Sequence, residues 1–333
     1  MGAVLVSSCR SQVPNKFSSA DRGTLMVSVA GDENTSILRI LNLNDYTYTD
    51  YTVPLCRPHS MSQNLNNLSE IFLFEFMGGA AKFNLTTRKS IHLPPKETFF
   101  SGHAIQNGEI LWSTEKFIKS TRYAFARNVS DLSLIPGKDN RFEAGHHIVK
   151  MPGTSLFVSG SDGFVTFFDI KSKKVIRKIL IDPELTPVHF IPLSGTEVVA
   201  VCGVMKGKID GYFDLSARAP AIYATTSGDV RTFWDESLKD DFRFGFGLKK
   251  LAGNTWLTGH KLGDAVFLWK DFKIVKKLEM KNPQAISLTN DGTQFMVHSG
   301  DNLHFYSFKT YELEKTITYD RPILAISEYS SLR

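Results

Sequence analysis

From Thr24 onward the apolar positions fall into short runs of five to eight residues, each ending at Gly, Asp, Asn, Ser or Pro. Runs of that length, bounded by turn residues, predict β-strands, and hardly any segment keeps the period of an amphipathic helix. The clearest unit opens at His147-Ile148-Val149-Lys150, turns at Pro152-Gly153, runs through Ser155 to Ser159, and turns again at Ser161-Asp162-Gly163. Phe164 to Ile170 and Lys174 to Ile179 complete it as a meander of four strands. The same order recurs from Gly245 to Met280, with turns at Gly253-Asn254 and Gly263-Asp264, and from Ala285 to Ile317, with turns at Asp291-Gly292 and Gly300-Asp301.

Rougher copies precede these, from His59 to His92 and from His103 to Leu134, and a longer one runs from His189 to about Glu236, extended by Gly203 to Pro220 between its second and third strands. The N-terminal portion supplies only three strands, Leu25 to Ala30, Ile37 to Leu43 and Tyr46 to Val53, while Ile323 to Ser327 is an orphan in the phase of a first strand. Joined, the two ends make one more unit. Repetition at about forty residues with such an exchange predicts an all-β, seven-bladed β-propeller over residues 24–328, the exchange closing the ring and removing the free edge where the chain ends meet. Residues 329–333 are expected to be a tail.

Composition changes this picture little. The 333 residues are 42% hydrophobic and 22% charged, enough to bury a core without staples. No apolar run approaches the roughly 18 residues of a membrane helix. The 39 Lys and Arg against 34 Asp and Glu give +5, spread without a phosphate-reading stripe, so nucleic-acid binding is not expected. The basic stretch Lys171 to Lys178 alternates with Val175 and Ile176 as the solvated outer strand of a blade would. Cys56 and Cys202 read as buried filler, since three scattered cysteines make neither a disulfide framework nor a zinc knuckle.

Cys9 stands apart. Val6-Ser7-Ser8-Cys9 resembles the lipobox of bacterial lipoproteins, and Arg10 to Gly23 is polar, as a tether would be. Residues 1–23 are thus expected to be the remnant of a lipoprotein signal and its tether, with lipid on Cys9 as the membrane contact and the periplasm or outer envelope as the compartment.

Phe168-Asp169-Ile170, Trp234-Asp235 and Leu268-Trp269-Lys270, read as third-strand ends, resemble WD-type propellers. Gly102-His103-Ala104, Leu111 to Glu115, Gly145-His146-His147 and Gly160-Ser161-Asp162-Gly163 resemble an exported bacterial family of WD-like or YVTN-like propellers found beside imelysin-type iron-uptake lipoproteins. That resemblance implies a role alongside iron or metal acquisition.

The candidate chemistry is histidine. His59, His103, His147 and His189 fall 44, 44 and 42 residues apart, each at the opening of a first strand, the strand that lines a propeller's channel. Blade-length spacing makes them neighbours around the axis, whereas the corresponding positions near Phe246, Ala285 and Leu324 are apolar. Such an arc at the channel mouth suits a transition metal, through neutral imidazole, or an anionic ligand. Glu115, one strand outward from His103, is a further candidate ligand or base, or one half of a structural pair. The chain carries no Gly-x-Ser-x-Gly elbow, His-Glu-x-x-His, phosphate loop or EF-hand. The reading is a non-catalytic, monomeric binding scaffold for a protein partner or small ligand. The alternatives are a metal-dependent enzyme built on the arc and a cytoplasmic interaction module.

Overall fold

The computed structural model describes residues 21–55, 57–94, 98–117, 122–204, 214 and 216–329. β1 (Thr24–Ala30), β2 (Ser36–Asn42) and β3 (Tyr48–Val53) pair in order. Next come β4 (Pro58–Gln63), β5 (Glu70–Gly78), β6 (Ala80–Asn84) and β7 (Ser90–Leu93), then β8 (Thr98–Asn107), β9 (Ile110–Phe117), β10 (Arg122–Asn128) and β11 (Arg141–Glu143). β12 (Ile148–Lys150), β13 (Leu156–Ser161), β14 (Phe164–Asp169) and β15 (Lys174–Leu180) form one four-stranded sheet. β16 (Leu185–Pro192), β17 (Glu197–Val204), β18 (Ala221–Thr225) and β19 (Val230–Phe233) form another. Two more are built from β20 (Gly245–Lys250), β21 (Thr255–His260), β22 (Ala265–Lys270) and β23 (Lys273–Glu279), and from β24 (Ile286–Leu288), β25 (Gln294–Ser299), β26 (Asn302–Ser307) and β27 (Leu313–Thr318). β28 (Ile323–Tyr329) returns to pair antiparallel with β1, Thr24 opposite Tyr329 and Val27 opposite Ile326.

The result is an all-β propeller of antiparallel meanders. β5 also pairs β8, at Phe76 opposite Ser101 and Gly78 opposite Phe100, which fuses the second and third sets into one eight-stranded sheet. The inner strands touch in the cyclic order β28, β4, β8, β12, β16, β20, β24 and back to β28. Apolar side chains fill the spaces between neighbouring sheets. Val158, Val165 and Phe167, for example, pack on Phe190, Val198 and Ala200 of the next sheet. Middle strands are therefore buried on both faces, as β14 is, whereas β15 exposes all but one of its seven residues. Its alternating basic and apolar side chains do form a solvated outer strand.

Several local expectations shift. The fourth strand after His103 lies at Arg141–Glu143, beyond Leu134, because Phe142 stacks on Phe168 of the next sheet, ring centroids 4.1 Å apart. Trp234-Asp235 follows a fourth strand rather than ending a third, and the Asp235 carboxylate accepts a hydrogen bond from the Ser237 N–H to cap the 3-10 turn Glu236–Asp241. Tyr329 belongs to β28 rather than to a tail. Cys9, Cys56 and most of the Gly203 to Pro220 extension lie outside the described residues. Cys202 is free and buried, and burial pushes its thiol well above the usual range. Among the described residues no helix is long and apolar enough to cross a membrane.

Deleting residues 321–333 removes Ile323 and Ile326 from the cluster that also holds Leu25 and Val27, and it bares the edge of β1. The truncated chain is expected to melt at least ~10 °C lower or to aggregate, read by calorimetry and light scattering. An unchanged melting temperature in a monomeric truncation would contradict closure by the terminal strand.

Candidate metal centre

The inner strands are irregular where they carry imidazoles. His59 of β4 is the extra residue of a β-bulge between Pro58 and Ser60. His103 of β8 lies in a longer irregularity between Phe100 and Ala104, and His189 of β16 directly follows a bulge at Val188. Phe246 of β20 is the extra residue of a further bulge. Bulges re-aim side chains that regular alternation would send elsewhere. Here they turn these side chains together, with His146 and His147 arriving from the turn before β12.

One ligand atom from each of His59, His103, His146 and His189 lies within 4.8 Å of all the others. His59 Nε2 is 3.0 Å from His146 Nε2, and His103 Nε2 is 3.1 Å from His189 Nε2. A tetrahedral ion with metal–nitrogen bonds of about 2.0–2.1 Å needs nitrogens roughly 3.3 Å apart, so these two pairs already stand near that spacing, while the widest separations would have to close by up to about 1.5 Å. Space for the rings is kept by Gly102 at φ 105°, where a Cβ would collide with the His59 ring and sit 3.3 Å from His146 Cε1.

Hydrogen bonds fix which nitrogens are free. His189 Nδ1 bonds the Phe246 carbonyl, so it carries the proton and leaves Nε2 with its lone pair toward the cluster. His147 is set the other way: its Nδ1 accepts from the Phe190 N–H at 3.0 Å, which places the proton on Nε2. A neutral ring in that tautomer presents a donor rather than a ligand. His147 nonetheless stands edge-on to His103 and His189, ring centroids 4.6 and 5.0 Å away.

Burial keeps all five imidazoles uncharged. It pushes His59 down to about 3 and lowers His103, His146 and His147 well below the ordinary histidine value, with neighbouring imidazoles adding to the effect at these four, and it pushes His189 down to about 4 against the opposing bond to the Phe246 carbonyl. Neutral rings are the metal-binding form.

The histidine arc read from spacing thus comes together, with one substitution: His146 joins the four-nitrogen group while His147 packs beside it. Gly145-His146-His147 is visible in the chain, but the two differ by one position and hence in direction. Glu115 is elsewhere. Its carboxylate accepts from Arg127 Nε and Nη2 at 2.7 and 2.8 Å and from the Ser113 hydroxyl at 2.6 Å, a buried structural pair between strands. His260 and His298 are further buried imidazoles that spacing did not reveal, each with an unpartnered Nδ1.

No family profile matches the chain, and no curated protein matches it. Solved propellers do. A Bacteroides uniformis protein described as a 6-phosphogluconolactonase is 12% identical with a TM-score of 0.66, over 91% of this chain and 98% of that one. The dihydro-heme d1 dehydrogenase NirN is 12% identical, TM-score 0.59, over 93% and 76%, and the WD40 propeller domain of Doa1 is 12% identical, TM-score 0.57, over 85% and 89%. At such identities the likeness establishes the propeller fold.

His260 and His298 carry a consequence for acid stability. Burial sets each at about 3 in the folded chain against roughly 6.5 unfolded. Below 6.5 the unfolded chain binds the protons that the folded one refuses. Their stabilisation is therefore complete above about pH 6.5 and is lost as pH falls toward 3, by about 1.4 kcal/mol per pH unit for each histidine. Denaturant midpoints are expected to fall steadily from pH 7 to pH 5, and a flat profile over that range would contradict the neutral burial of these rings.

Proposed function

We propose that the protein is a non-catalytic binding scaffold whose ligand is a transition-metal ion held by His59, His103, His146 and His189. The observation that carries the reading is the convergence of four imidazole nitrogens within 4.8 Å, from three inner strands and the segment that leads into a fourth, far apart in sequence. Imidazole donors suit zinc, copper, nickel or iron. Four protein ligands fill a tetrahedral site, as in sites that hold a metal, whereas catalytic sites keep a position open for water or substrate. The propeller neighbours include proteins named as enzymes and one WD40 domain, so the fold admits either class, and the four-histidine donor set supports the binding reading. Placement of this scaffold in the bacterial envelope, beside metal acquisition, rests on the sequence resemblance and on Cys9.

Titration of the metal-free chain against a chromophoric chelator is expected to give one zinc or copper ion per chain. His146→Ala and His103→Ala should each weaken binding on the order of 100-fold, while His147→Ala, with its proton on Nε2, should cost far less. Absence of stoichiometric binding, or equal losses for His146→Ala and His147→Ala, would contradict the assignment. Lipid anchoring predicts that Cys9→Ser moves the protein from the membrane fraction to the soluble one. Identical partitioning of both forms would remove Cys9 from the reading.

A further inference from the structure

The donor group contains four neutral histidines and, among the described residues, neither a carboxylate nor a thiolate. Glu115, the acidic candidate one strand outward from His103, is committed to Arg127. A divalent ion on these nitrogens would therefore keep its full double charge in a buried place, which costs heavily unless an opposite charge accompanies it.

The surroundings add to the imbalance. Lys261 directly follows β21, and its Nζ lies 5.2 Å from the centre of the Phe246 ring. That ring in turn stands 5.6 Å from His59 and 5.3 Å from His189, so the ammonium approaches the cluster across one aromatic ring. Among the described residues Lys261 has no carboxylate partner, and its positive charge acts on both His59 and His298. Arg122 is also felt at His146, though the Asp162 carboxylate acts on it in turn, which leaves Lys261 as the cation without a carboxylate partner among the described residues. On the other flank, His147 offers an Nε2–H, since its Nδ1 is occupied by the Phe190 N–H. An ammonium without a carboxylate partner and an N–H donor, flanking a metal group that has no anion among its donors, describe a place for negative oxygen.

We propose that the histidine group takes its metal together with a small oxyanion, of the carbonate or phosphate kind, which lies outside the four ligating nitrogens on the side of Lys261 and balances the charge of the ion. This rests on the metal reading above. The oxyanion lowers the charge of the buried centre, and Lys261 holds it electrostatically from the side of Phe246. Neither partner needs a covalent step.

The test is zinc affinity of the full chain, measured by chelator competition at one ionic strength set with perchlorate, alone or with bicarbonate or inorganic phosphate. At least one oxyanion is expected to tighten zinc binding roughly tenfold or more. Lys261→Gln should still bind zinc in perchlorate at least as tightly as the parent but lose most of that enhancement, and Lys261→Arg should keep it. Equal affinity with and without oxyanion, zinc being bound in both, would overturn the proposal while leaving the metal site standing. Enhancement that survives in Lys261→Gln would overturn the role of Lys261. No zinc binding in any buffer would overturn the metal reading and this proposal together.

Discussion

The ladder between β1 and β28 is the constraint on which the rest depends. A row of four-stranded meanders has two exposed edges and no reason to curve into a ring, because each sheet is satisfied by packing on its neighbours. Pairing Thr24–Val29 with Ile323–Tyr329 removes those edges and makes the last sheet a neighbour of the first. Only then do the inner strands meet cyclically around one axis. Residues more than eighty positions apart, such as His59 and His146, come within hydrogen-bond distance as a result.

Closure supplies proximity, and burial supplies the protonation state. In water, histidines crowded this closely would exchange protons and repel one another when charged. Withdrawn from water, they stay neutral, and their remaining polarity is directed by single backbone contacts: the Phe246 carbonyl for His189 and the Phe190 N–H for His147. These two bonds distinguish a ligand from a neighbouring donor although both rings are the same residue type. The same burial makes the group vulnerable to acid and leaves it without a negative charge of its own.

Much of the architecture was legible in the chain because it is written in local chemistry. Turn pairs such as Ser161-Asp162-Gly163 and Asp291-Gly292 mark strand ends, and the repeat near forty residues marks the meanders. The missing first strand at one end and the orphan at the other revealed the exchange. The histidine arc was legible in outline for the same reason. What escaped is set by tertiary contact: β11 pairs β10 where Phe142 stacks on Phe168 of the next sheet, and Glu115 is claimed by Arg127 from the next strand. The choice of His146 over His147 depends on the geometry of the turn before β12 and on bulges in strands β4, β8 and β16, none of which has a sequence signature.

The central claim is that four imidazoles share one ion, and the most direct measurement is X-ray absorption at the metal edge of the zinc-loaded full chain. Four-histidine ligation predicts a first shell of nitrogen at about 2.0–2.1 Å, with the outer-shell scattering of several imidazoles, reduced in His59→Ala and His189→Ala and unaltered in His147→Ala. A first shell containing sulfur, or one with no imidazole scattering, would contradict it.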